Sequence, residues 1–117
     1  VSESPRGPGA APQTPDIPVE IVDNLGRGRY ELWRVDSDGG RTFIGFVGYR
    51  LQETGVVELQ HTVISERFSR QGFARLLVTN LLDRLRERGE RIVPTCTYVQ
   101  SYLERFPHYQ DLVAQGE

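Results

Sequence analysis

Lysine and methionine are absent from this chain, and cysteine and tryptophan occur once each. All fourteen basic residues are arginine. That bias fits coding usage better than chemistry, but it excludes a lysine nucleophile or Schiff base. A single cysteine excludes an internal disulfide, and no Cys/His spacing matches a zinc site. No apolar run approaches the length of a membrane span, and the basic-then-apolar pattern of a secretory leader is missing. The expectation is a soluble, cytoplasmic protein that binds no membrane. A net charge of -2 argues against a general nucleic-acid binder.

What is present divides unevenly along the 117 residues. Residues 1–18 hold Pro5, Pro8, Pro12, Pro15 and Pro18 among Ser, Gly and Ala, with almost no large apolar side chain. Such a composition buries too little surface to offset the entropy of ordering, so 1–18 reads as a disordered tail and 19–117 as one small domain. From Arg29 the pattern becomes regular. Tyr30 to Val35 is rich in strand formers, Asp36-Ser37-Asp38-Gly39-Gly40 signals a turn, and Thr42 to Leu51 completes a hairpin. Gly45 and Gly48 inside the second strand point to a bulge or a close backbone approach. Val56 to Ile64 reads as a third strand. Simple alternation puts Val57, Leu59, His61 and Val63 on one face, with Glu58, Gln60 and Thr62 on the other.

The clearest element follows. Phe73, Leu77, Leu81 and Leu85, with Ala74, Val78 and Leu82 beside them, repeat at helical spacing from Gly72 to Arg88, and Gly89 sits where a glycine would end the helix. Arg91-Ile92-Val93 reads as a fourth strand. Ser101 to Phe106 reads as a short helix stopped by Pro107, with a further turn over Tyr109 to Val113. The order β-β-β-α-β-α predicts an α+β domain, with a mixed sheet covered by one main helix.

The chemistry concentrates between strand and helix. A helix start with unpaired N–H groups favours an anion, and helices usually place acids in that first turn. Here Arg67, Arg70 and Arg75 surround the start, with no acid between Arg67 and Arg75. The loop Ser69-Arg70-Gln71-Gly72-Phe73-Ala74 therefore reads as a seat for a polyanion, against the plainer alternative of an ordinary turn. Cys96, as a thiolate, is the strongest nucleophile among these side chains, although a free cysteine more often serves as a small buried residue. His61 reads as a core histidine or as a general base for an amine or for Cys96.

Four segments in order resemble the GNAT superfamily of acyl-CoA-dependent N-acetyltransferases, and more closely its small single-domain GCN5-related branch. They are Glu58-Leu59-Gln60-His61-Thr62-Val63, Gly72-Phe73-Ala74, Pro94-Thr95-Cys96-Thr97-Tyr98-Val99, and Tyr102-Leu103 through Phe106-Pro107-His108-Tyr109. The resemblance covers Ile21 to Val113 and implies a GNAT-like sheet, acetyl-CoA as acyl donor, an amine acceptor and no metal. It also implies that CoA lies against Val63, Ile64, Ser69, Arg70, Gln71, Gly72, Phe73, Ala74, Arg75 and Thr97. Cys96, His61 and Glu58 become the catalytic candidates, with Glu58 on the face opposite His61, and Tyr98 or Tyr102 could protonate the departing thiolate. Ser69 departs from the family pattern, which places Arg or Gln in that slot. The departure keeps open a CoA-binding module without transfer activity. A third reading is an interaction domain whose basic loop holds another anion such as RNA. The acceptor and the oligomeric state are not legible.

Overall fold

The computed structural model describes residues 17–53 and 55–114. One sheet of five strands runs in the order β1 (Val19–Asn24), β2 (Arg29–Val35), β3 (Arg41–Glu53), β4 (Val56–Ile64) and β5 (Arg91–Pro94). The first four form an antiparallel meander, and β5 lies parallel to β4. Helix α1 (Phe73–Glu87) makes the crossover between them, and α2 (Thr97–Arg105) follows β5. The α+β class is as expected, with one strand more than the sequence reading assigned. Strand β1 turns into β2 through a tight connection in which the Asn24 side chain accepts the Arg27 N–H at 3.2 Å and Gly28 adopts φ +64°. Residues 1–16 of the proline-rich stretch lie outside the described residues. Ile17 packs against the core, and the Pro18 carbonyl accepts the Val35 N–H at 3.0 Å. No helix among the described residues is long and apolar enough to cross a membrane.

The helices lie on one face of the sheet, over Tyr30, Leu32, Val47, Tyr49, Val57 and Leu59. Helix α1 buries Phe73, Leu77, Leu81 and Leu85 as the spacing predicts, and also Leu76, Val78, Thr79 and Leu82. It ends in a double closure: the Gly89 N–H reaches the Arg86 carbonyl at 3.1 Å and the Glu90 N–H the Leu85 carbonyl at 2.9 Å. Gly89, at φ +72°, supplies the left-handed residue this motif requires. Helix α2 begins four residues before the expected Ser101. It is pinned to α1 by a 2.6 Å contact between the Thr79 and Tyr102 hydroxyls. A second tie runs from the Tyr109 hydroxyl to Asp83 at 2.8 Å, and Arg86 grips Asp111 with both terminal nitrogens, at 2.8 and 2.9 Å.

Two bulges shape the other face. Ile44 is the extra residue where β3 passes Leu32 and Trp33 of β2. In β4, Leu59 pairs with Tyr49 and His61 with Gly48, so Gln60 is unmatched. An extra residue inverts the alternation beyond it. Val57 and Leu59 face the helices, but Thr62 now takes that side. His61 and Val63 point outward, and Val63 is 45 % exposed. The expected grouping of His61 and Val63 with Val57 and Leu59 is thus corrected, and Glu58 and His61 share a face rather than opposing each other.

Within that outer face sits a buried carboxylate. Glu31 accepts from Arg29 at 2.8 Å, Asn24 at 3.0 Å and Trp33 at 3.1 Å. Burial alone would raise its pKa, but these three hydrogen bonds outweigh it and hold the carboxyl below the ordinary glutamate range. A depressed folded-state pKa adds stability above the unfolded value, and the gain disappears as pH falls through the folded value. Glu31→Gln should therefore lower unfolding free energy at pH 7 by about 1.5–3 kcal/mol, the worth of hydrogen bonds to a charged group. The deficit should shrink as the medium is acidified below the glutamate range. Urea titrations of both chains at several pH values check this, and a deficit independent of pH contradicts it.

Candidate active site

Strands β4 and β5 separate within a few residues of their last shared pair. Their pairing ends at Leu59↔Pro94, where the Leu59 carbonyl accepts both the Thr95 N–H at 3.1 Å and the Cys96 N–H at 2.8 Å. From there the chain turns into α2, and among the described residues β4 beyond Leu59 pairs with a strand on its β3 side only. The Ser65 N–H donates to the Ile44 carbonyl in β3 at 2.7 Å. Backbone groups along a strand alternate between its edges, so Thr62 and Ile64 direct theirs away from β3, into the gap.

The gap opens into a cleft of about 390 Å³. It is lined by Ile64 at the end of β4, by Phe68 and the turn residues Ser69, Arg70 and Gly72, by Phe73, Ala74 and Arg75 at the start of α1, and by Tyr98 on α2. Seven of the ten residues expected at the cofactor therefore converge there. Of the other three, Val63 turns its side chain to the opposite face of the sheet, Gln71 donates to the Arg67 carbonyl at 3.1 Å, and Thr97 is the exposed first residue of α2. Phe68 and Tyr98 were not in that set. Tyr98 is half-buried, and desolvation raises the pKa of its phenol while the Arg75 charge and hydrogen bond pull the other way. It stays protonated at neutral pH and can donate into the cleft.

The loop geometry suits an anion. Gly72 caps α1 at φ +90° with no side-chain hydrogen bond, and no acid occupies the first turn. Arg70 sits at φ +62°, the one non-glycine residue with positive φ among those described. That conformation costs an L-residue about 1–2 kcal/mol, and such strain concentrates at ligand-binding positions. The Ser69 hydroxyl donates inward to the Glu66 carbonyl at 2.9 Å, so it braces the loop and leaves the cationic role to Arg70 and Arg75.

Cys96 lies where the two strands diverge. It is 3 % exposed, the burial that the plainer reading of a free cysteine describes. The two N–H bonds to Leu59 draw it in, and its sulfur lies 3.3 Å from the Thr62 hydroxyl. Thr62 escaped the sequence reading because simple alternation put it on the outer face. Glu58 stands on the outer face, with its carboxylate accepting from Thr95 at 3.0 Å and Gln52 at 3.4 Å. Tyr102 is buried and bonded to Thr79, so of the two candidate tyrosines only Tyr98 lines the cleft. Among the described residues, no group of three His, Cys, Asp or Glu side chains could hold a metal ion.

Residues 29–112 match the family profile of the GCN5-related N-acetyl-transferases, and the chain belongs to that family. It is also similar in fold to the NMR solution structure of a GCN5-like protein from Staphylococcus aureus. The TM-score is 0.59 at 22 % identity, covering 84 % of this chain and 90 % of that one. No curated protein matches the sequence.

Replacing Arg70 by glycine separates strain from charge. The substitution should leave the fold at least as stable, by up to about 1 kcal/mol from relief of the left-handed conformation, while weakening the affinity for CoA, used as a polyanionic probe of the turn, roughly 10-fold through loss of a charge-assisted contact. Thermal melts and calorimetry check the two halves. An unchanged affinity would remove Arg70 from the site.

Proposed function

We propose that this chain is a cytoplasmic N-acetyltransferase that moves the acetyl group of acetyl-CoA to an amine. The observation that carries the proposal is the cleft itself, which is lined by Ile64 at the end of β4 together with the arginine-bearing turn before α1. The diphosphate would rest on the N–H groups at the start of α1 with Arg70 and Arg75. The pantetheine would run along the unpaired edge at Ile64 and Thr62, with the thioester reaching the region of Cys96. Catalysis is then mainly positioning, with a backbone N–H of β4 polarising the carbonyl.

In the direct reaction the amine nitrogen attacks the thioester carbon, its proton passes to a base, and the C–S bond breaks. The departing thiolate takes a proton, for which Tyr98 is the nearest candidate in the cleft. Burial of Cys96 on the helix side, with His61 and Glu58 on the outer side, favours this direct route over an acetyl-cysteine intermediate.

Incubation with acetyl-CoA and a panel of amines, read by release of free thiol, should give turnover that depends on the amine. A melting-temperature rise with CoA but no thiol release above the no-enzyme control would instead assign a binding module without transfer activity. Mass spectrometry without acceptor tests the route cleanly, because the chain has no lysine side chain to accept stray acetyl groups. Direct transfer predicts no retained acetyl group. A stable, hydroxylamine-labile adduct that Cys96→Ala lacks would replace it with the two-step mechanism.

A further inference from the structure

His61 is held in a slot made by a missing side chain. Gly48 faces it across the β3–β4 ladder. A Cβ built on Gly48 would fall 2.5 Å from His61 Nε2, 2.8 Å from Cε1 and 3.1 Å from Cδ2. The imidazole therefore lies directly over the Gly48 backbone. Gly48 is not among the positive-φ residues, so the backbone itself would accept alanine, and the ring is what excludes it. A second wall comes from Phe46, whose ring meets the imidazole edge-on at 5.8 Å and 85°. Phe46 is itself covered by the Arg29 guanidinium, 4.5 Å above its centroid. His61 remains exposed to solvent on its open side.

This slot is on the outer face of the sheet, whereas Cys96 makes its contact with Thr62 on the helix side. The bulge at Gln60 separates the two. Around the imidazole stand Arg29 and Glu31 on β2, Arg50 on β3 and Glu58 on β4, all turned to the same face by the register.

We infer that Gly48 is a positioning residue that lays the His61 imidazole flat on the outer face, where it serves the incoming amine and not the Cys96 thiol. The inference rests on the acetyl-transfer reading above. In the step concerned, an imidazole nitrogen takes the proton of the amine as the N–C bond forms and the C–S bond to CoA breaks. Phe46 and Gly48 fix the direction from which the amine arrives.

The test is a double-mutant cycle with an independent readout. Gly48→Ala should lower kcat by about 10- to 100-fold, as a displaced base does, with KM for acetyl-CoA unchanged because the cleft lies beyond the strand. In a His61→Ala background, where the clash is gone and the chain has no reason to misfold, Gly48→Ala should have no further effect. Multiplicative losses across the cycle would show independent roles and overturn the inference, as would an unchanged kcat. The ring-proton NMR signals of His61 should move in Gly48→Ala as the imidazole leaves the Phe46 edge. Signals that stay in place refute the contact. A wild-type chain that acetylates no amine overturns the assignment of His61 to the acceptor together with the functional reading, while the NMR arm still decides the contact between Gly48 and the ring.

Discussion

The two hydrogen bonds that the Leu59 carbonyl accepts from Thr95 and Cys96 set the architecture of the site. One carbonyl holding two successive N–H groups ends the parallel pairing and turns the chain into α2, so β4 continues past its partner with one edge open. An open strand edge normally invites another chain. Here the opening is short and flanked by the α1 turn on one side and Tyr98 on the other, which suits an extended small molecule with its own amides. The bulge at Gln60 adds the second half of the design. It leaves Thr62 and Ile64 on the helix side while transferring His61 and Val63 to the outer face, so the two sides of one strand carry different candidate groups.

The loop before α1 is locally unstable. Arg70 in a left-handed conformation and an α1 start with neither cap nor acid each forgo stability that ordinary sequence choices would supply. The rest of the molecule compensates. Eight buried residues on α1, the glycine-terminated C-terminus and the ties from Tyr102, Tyr109 and Asp111 secure the helix from its middle and far end. The strained turn is therefore carried by a rigid element, as a preorganised site requires.

The parts of this arrangement differed in how plainly the sequence displayed them. Helix α1 was legible because its apolar spacing is sustained over four turns and Gly89 marks its end. The basic turn before α1 was legible as a place where arginines gather without acids at a helix start. Strand β1 was missed because six residues beside a run of prolines leave little pattern to read, although Val19 and Ile21 alternate toward the core. Helix α2 begins earlier than expected because Cys96 and the β-branched Thr97 and Val99 give no capping or helix-forming signal; two backbone bonds to Leu59 start it instead. The faces of His61, Val63 and Thr62 were inverted for a related reason. Gly45 and Gly48 hinted at a bulge, but no side chain announced that the extra residue was Gln60 on the opposite strand.

The central claim is that the free edge of β4 and the turn before α1 form one continuous seat for CoA. Titrating the 15N-labelled chain with CoA at low ionic strength and following the backbone amides tests it most directly. The account predicts saturable shifts at Thr62 and Ile64 together with Arg70 to Arg75, while Glu31 and Trp33 on the outer face stay still. Saturation without those two clusters, or shifts centred on the outer face, would contradict it.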